Sequence, residues 1–315
     1  QFLIDEGDPF NEILKTKSIN NIKSLNFFKS VDVKVIEGTN PSTKILNISV
    51  TEKPTGEIMA GAGFGTSGTT FVIGVKENNF LGRGISLDSN LSLGTESIKG
   101  EISVDNPNFR NSDKSVFLTV KATETDRIKN SGYKTNKTGF ELGSRFEYYD
   151  DLFLKLGTSN YYERIETDNT ASARQQEQEG DYYDSFLKVG LSYDKRNQKY
   201  QTNNGFISNF SLEAPIISKT YSLLNSYKYK FYTELFEDNI SSLSLSLKSA
   251  HSLKDDDIKL SERITIPSSL LRGFEVGKVG PKDGNDFIGG NYMSALNFTT
   301  TVPQILENSQ NTDFI

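Results

Sequence analysis

Leu271-Arg272-Gly273-Phe274, followed by Gly280-Pro281 and then Gly289-Gly290-Asn291, sets one guanidinium in a glycine-punctuated stretch that is otherwise apolar. Long segments without helical periodicity are usually functional or disordered. Leu270, Leu271, Phe274, Val276 and Val279 make this one too apolar for a solvated tail. Arg272 is then either a surface arginine or an interior one, and an interior charge persists only if it is paired and hydrogen-bonded. Covalent and metal chemistry find little support. His251 is the one histidine in 315 residues, and there is no cysteine. A histidine-based triad, a zinc site and a disulfide framework therefore fall away. Asp255-Asp256-Asp257 lacks the spaced ligands and turn glycine of a calcium loop. The glycine pairs occur in strand turns rather than strand-to-helix turns, so they do not cradle phosphates. No enzymatic activity, cofactor or metal is expected. The net charge of −6 argues against a nucleic-acid partner, which calls for a basic face.

The elements that must position these residues fall into two parts. In residues 1–53, Ile19, Ile22, Leu25 and Phe28 recur at helical spacing and predict a helix over Thr16–Phe28. Val31, Val33 and Val35 then alternate with polar residues, Glu37 to Pro41 is turn chemistry, and Leu46, Ile48 and Val50 give a second strand. This is a small α+β unit, with Glu52-Lys53-Pro54-Thr55-Gly56 as its linker.

Across 54–315 helical periodicity disappears, and strands of about ten residues follow one another, the length a tilted strand needs to cross a bilayer. The clearest carry Ile85/Leu87/Leu91/Leu93, Ile98/Ile102/Val104, Val116/Leu118/Val120 and Leu243/Leu245/Leu247. Later strands are expected over Phe140–Tyr149, Leu152–Glu163, Ser185–Tyr193, Gly205–Ala214, Leu223–Leu235 and Asn291–Val302, giving roughly twelve in all. Gln175–Glu179 and Asp181–Asp184 read as extracellular loop. The mean hydropathy of −0.48 looks soluble, but a barrel faces lipid with only every second residue. A soluble β-sandwich also alternates, yet its strands run to about five or six residues. Charges opposite the apolar faces, such as Lys99 with Glu101 or Lys228 with Lys230, suit a wet lumen. The fold class is therefore a transmembrane antiparallel β-barrel preceded by a partial α+β unit.

The first strand, Gly56 to Gly65, is a second candidate site. Ile58, Ala60, Ala62 and Phe64 fall in one phase, with Met59, Gly61, Gly63 and Gly65 in the other. Glycine weakens a strand and permits close backbone approach. Such a strand is either a barrel corner or a weak seam.

Several segments, in order, resemble the BamA-type family of outer-membrane assembly proteins. Leu25-Asn26-Phe27-Phe28-Lys29-Ser30-Val31 is similar to part of the family's last POTRA repeat, and Glu52 to Gly56 to its entry into the barrel. Gly61-Ala62-Gly63-Phe64-Gly65 resembles the first barrel strand. Asn79-Phe80-Leu81-Gly82-Arg83-Gly84 and Asn106-Pro107-Asn108-Phe109 resemble the next hairpins. Tyr193-Asp194-Lys195-Arg196 with Thr202-Asn203-Asn204-Gly205 matches a family turn, and Arg272-Gly273-Phe274 with Gly280-Pro281 and Gly289-Gly290-Asn291 its sixth surface loop. The resemblance implies POTRA repeats and a sixteen-stranded barrel in the outer membrane of a diderm bacterium, of which about twelve strands and the rear of one periplasmic POTRA repeat are expected here. A chain that starts at Gln1 is then expected to be a fragment.

The resemblance also implies that the protein inserts nascent outer-membrane proteins into the bilayer, with accessory lipoproteins and without nucleotide. Gly56, Ile58, Ala60, Gly61, Gly63 and Gly65 would form a laterally opening seam. Leu271, Arg272, Gly273, Phe274, Gly280 and Pro281, within an inward-folded loop of about 252–290, would lie in the lumen. There Arg272 would meet an acidic residue on the wall, yet Asn297 stands where one such residue is expected. The rival readings are a TamA-like or two-partner secretion pore and a passive porin.

Overall fold

Alternation sustained over ten or more positions builds one large sheet. The computed structural model describes residues 3–40, 42–65, 68–199, 202–236, 239–275 and 277–301. Two compact units comprise Gln1–Ile58 with Val75–Leu87, and Met59–Gly74 with Asp88–Ile315.

In the first unit, helix α1 spans Glu12–Ser24, one turn earlier than its apolar spacing predicts. Asn11 sets the start, because its side-chain oxygen accepts from the backbone N–H of Ile13 at 2.9 Å and of Leu14 at 3.1 Å. Asn26, at φ 59°, ends it, so Phe28 opens a strand instead of closing the helix. Strand β1 (Phe28–Glu37) pairs antiparallel with β2 (Lys44–Glu52), setting Val31, Val33 and Val35 opposite Val50, Ile48 and Leu46. The turn at 79–84 belongs to the same unit. A Cβ at Gly84 would lie 3.5 Å from the Phe27 ring, and the Asn79 side chain accepts from the Gly84 N–H at 2.7 Å.

The remaining long strands are β3 (Gly56–Gly65), β4 (Gly68–Phe80), β5 (Ile85–Gly94), β6 (Ser97–Asn106), β7 (Ser115–Arg127), β8 (Tyr133–Tyr149), β9 (Leu152–Thr167), β10 (Gly180–Asp194), β11 (Gly205–Ile217), β12 (Ser222–Thr233) and β13 (Ser241–Ser252). A two-residue hairpin, β14 (Lys282–Asp283) with β15 (Asp286–Phe287), precedes β16 (Tyr292–Thr300). β3 to β13 follow one another in a twelve-stranded sheet, with β16 beside β13. Each neighbouring pair from β6 onward is antiparallel. A sandwich would need two packed sheets. The strands exceed their expected spans at the loop end: β8 begins at Tyr133 and β10 at Gly180. Asp181–Asp184 is therefore strand rather than loop. Its Asp-Tyr-Tyr-Asp pattern alternates with period two, which a purely apolar reading passes over. Val302 lies outside the described residues.

Register separates two faces. Leu118, Val120, Phe140, Leu142, Leu187, Leu191, Leu247 and Leu296 stand exposed on one side. So continuous an apolar band is foreign to a soluble surface and suits lipid. No helix among the described residues is long and apolar enough to cross a membrane. The other face carries Glu101, Lys121, Glu141, Lys155 and Lys188. Gly205, at φ 99°, closes the turn into β11 where a Cβ would come within 2.1 Å of the Lys195 carbonyl, so no other residue fits there.

Leu118→Arg is expected to lower the stability of the vesicle-inserted protein by about 2–4 kcal/mol, the cost of a cation near the bilayer midplane. Lys121→Gln, which removes a half-exposed pair with Glu101, should cost no more than about 1 kcal/mol. Urea unfolding in vesicles measures both, and a loss for Lys121→Gln as large as that for Leu118→Arg would contradict the assignment of the faces.

Candidate functional site: an internal loop clasped to the inner wall

Three strands supply a floor. Tyr133, Thr135, Lys137 and Gly139 alternate along β8; Tyr161, Glu163 and Ile165 along β9; Tyr182, Asp184 and Phe186 along β10. Register sets Tyr161 opposite both Gly139 and Asp184, and Tyr182 opposite Glu163. A Cβ at position 139 would fall 2.4 Å from that of Tyr161, so glycine is what admits the tyrosine there. The Tyr161 ring stacks on Phe186 with centroids 5.8 Å apart, and the Lys137 ammonium sits 3.3 Å from the centre of the Tyr161 ring.

The segment between β13 and β16 descends onto this floor at Lys259. Its Nζ lies 2.6 Å from Asp184, 2.9 Å from Glu163 and 3.3 Å from Glu262, and the lysine side chain is 0 % exposed. The rings of Tyr182 and Tyr161 flank it at 5.1 and 5.6 Å. Its neighbours complete the contact. The Ser261 hydroxyl donates to Glu163 at 3.0 Å, the Leu260 N–H to the Gln178 side chain at 2.8 Å, and the Tyr133 hydroxyl to the Leu260 carbonyl at 3.2 Å. The Leu260 side chain closes an apolar cluster with Tyr133, Ile165, Tyr182 and Ile288.

Charge balance explains the arrangement. Burial works against the Lys259 charge, but Glu163, Glu262 and Asp184 outweigh it and hold the ammonium above the ordinary lysine range. Glu262 moves the other way: burial pushes its carboxyl above the usual range, and Lys259 only partly offsets this. Above the clasp, Arg174 binds Asp257 through two hydrogen bonds, which holds the Asp257 carboxyl below its usual range. The Ser172 hydroxyl donates to Asp283 at 2.6 Å, and the Gln175 side chain to the Ser131 carbonyl at 2.8 Å. Gln175 is thus buried in a short helix, α2 (Ala173–Gln176), not free in a loop, because Ser172 and Gln175 cap each other.

The residues expected to carry function are placed less deeply. Leu271 is half-buried, while Arg272 and Phe274 are exposed. Arg272 has no ion pair or hydrogen bond among the described residues. Gly273 and Gly280 have φ of 83° and 126°, and the Pro281 carbonyl accepts from the Ile288 N–H at 3.1 Å. Val276 lies outside the described residues. Asn297, on the inner face of β16, does meet the loop, although not at the arginine: its side-chain N–H donates to the Leu270 carbonyl at 2.9 Å. Gly56, Ile58, Ala60, Gly61 and Gly63 lie on β3 at one end of the sheet order, with Ile58 and Phe64 each 83 % exposed, and Gly65 closes the strand.

Sequence reasoning missed Lys259. The available signals were a lysine flanked by Ile258 and Leu260, and acids at Glu163 and Asp184 in phase with aromatic residues.

Residues 79–313 match the Omp85 superfamily domain. The chain belongs to the Omp85 superfamily. It is 24 % identical over 318 residues to the outer membrane protein assembly factor BamA of Neorickettsia risticii, covering 97 % of this chain and 42 % of that protein. The crystal structure of BamA from Haemophilus ducreyi lacking POTRA domains 1–3 superposes with a TM-score of 0.85 at 19 % identity, over 98 % of this chain and 65 % of that one. CdiB from Acinetobacter baumannii gives 0.53 at 13 % identity, over 96 % of this chain and 64 % of that one. The fold is the BamA-type antiparallel barrel wall. The chain spans less than half the length of the curated relative.

Lys259→Ala leaves three buried carboxylates without their cation and should destabilise the clasp by about 3–5 kcal/mol. Limited proteolysis between β13 and β16 would then cut a loop that is protected in the wild type. Folding raises the Glu262 pKa, so its contribution is fully present below the ordinary glutamate range and is lost as pH rises through the raised value. Loop protection should therefore weaken on the alkaline side, and Glu262→Gln should flatten that dependence. Weakening on the acid side alone would reverse the assignment.

Proposed function

We propose that the chain is the core of an outer-membrane β-barrel insertase, lying in the outer membrane of a diderm bacterium with its N-terminal unit in the periplasm. The N-terminal unit, residues 1–53, is read as the rear of a POTRA repeat, and residues 54–315 as the first twelve or so of sixteen barrel strands. The observation that carries the reading is the superfamily match together with the much closer superposition on a BamA structure than on CdiB. CdiB superposes at a far lower TM-score.

The work assigned to the protein is strand templating, with no nucleotide, metal or covalent step. β3 supports this, since Gly61 and Gly63 weaken it and Ala60 and Ala62 add little apolar area. Once freed, its N–H and C=O groups would pair with an incoming strand, which folds as it is added. Nascent outer-membrane proteins are the clients, lipid the receiving phase, and accessory lipoproteins the partners. The loop carrying Leu271, Arg272, Gly273, Phe274, Gly280 and Pro281 would sit in the lumen.

The full-length protein should complement loss of the host's assembly factor. Because the described chain has no native cysteine, single cysteines at Ala60 or Ala62 can be crosslinked to a stalled client barrel. Adducts are expected there and not from outward positions on β7. Efficient assembly without any β3 adduct would sink the seam. Arg272→Ala should abolish complementation, and wild-type growth would remove its role.

A further inference from the structure

On the inner face several lysines up to β10 are answered by carboxylates on the wall, although Lys137 sits over the Tyr161 ring with no ion pair among the described residues. Lys121 meets Glu101 at 3.2 Å, Lys155 and Lys188 share Glu141 at 2.8 and 2.9 Å, and Lys188 also reaches Glu213 at 3.2 Å. The pattern stops at β12. Lys228 and Lys230 project inward there and Lys248 projects from β13, with Ser246, Ser244 and Ser226 as their respective cross-strand partners. Among the described residues none of the three lysines has a carboxylate partner. Lys230 has only the Tyr232 ring, 4.8 Å away. Lys248 is half-buried, and register places Lys228 diagonally across the strand pair from it. Taking an ammonium out of water beside a like charge is unfavourable unless an anion answers it.

We propose that Lys228, Lys230 and Lys248 form an inward-facing site for an extended acidic polypeptide segment. The spacing favours a chain over a single ion. Alternate residues on a strand lie about 7 Å apart. An extended segment with Glu or Asp at every second position therefore repeats its carboxylates at the distance that separates Lys228 from Lys230. The wall uses the same solution on β8 to β10, where Glu141 bridges Lys155 and Lys188. The cross-strand serines are short and neutral, so none of them competes for the lysines. The site rests on the electrostatics of this face and does not require the assembly reading, because binding is measured without it.

The test uses the full-length protein in nanodiscs and a fluorescent peptide of alternating Glu and Ser, with an all-Ser peptide and inorganic phosphate as comparators. The acidic peptide should bind with a salt-dependent affinity that falls at least tenfold in K228Q/K230Q/K248Q and is unchanged in K121Q. Phosphate at equal charge should leave it bound. Amine-reactive footprinting of the wild type needs no variant, and the peptide should protect these three lysines. Equal binding by the triple variant, equal binding of the all-Ser peptide, absence of protection, or displacement by phosphate would each overturn the proposal.

Discussion

The ammonium of Lys259 is the constraint around which the inner side of this wall is organised. It is fully buried, and it persists because Asp184, Glu163 and Glu262 surround it within 3.3 Å. Buried ion pairs contribute little net stability against apolar replacements but are costly to break one side at a time. Their value here is positional. An apolar plug would tolerate sliding along the aromatic floor, whereas one ammonium held by acids on β9 and β10 has a single seat. The loop is then held on well-separated strands, by Lys259 on β9–β10 and by the Leu270 carbonyl under Asn297 on β16. Between them lie β11, β12 and β13, so the loop braces the inner face across several strands.

The wall itself was largely readable from the chain. Period-two alternation is set by the pleat, so Val116/Leu118/Val120 and Leu243/Leu245/Leu247 declared their strands and their lipid side without any tertiary knowledge. The errors fell where local chemistry overrides hydrophobic phase. α1 begins early because Asn11 caps it, and it stops before Phe28 because Asn26 takes a left-handed turn. β10 reaches back to Gly180 because Tyr182 and Asp184 face inward, where polar residues serve as well as apolar ones.

The site was less readable, for a related reason. A glycine-rich motif such as Arg272-Gly273-Phe274 stands out in one dimension, but the partners of a side chain are set by folding. Lys259 meets acids 75 and 96 positions away, at Asp184 and Glu163. No local spacing signals that meeting. The motif arginine, in contrast, is exposed, and the wall position opposite the loop carries Asn297, whose amide contacts backbone two residues earlier. Leu270 rather than Arg272 makes the contact because an amide donor seeks a carbonyl, where a carboxylate would have sought the guanidinium.

The central claim is that Lys259 seats the loop. The described chain contains no cysteine, so a spin label at Ser268 in the loop and another at Asp150 in the β8–β9 turn can be placed without background. Pulsed electron resonance in lipid should give a single narrow distance distribution in the wild type. The account predicts that this distribution broadens in Lys259→Ala and stays narrow in Arg272→Ala. A narrow distribution without Lys259, or a broad one without Arg272, would contradict it.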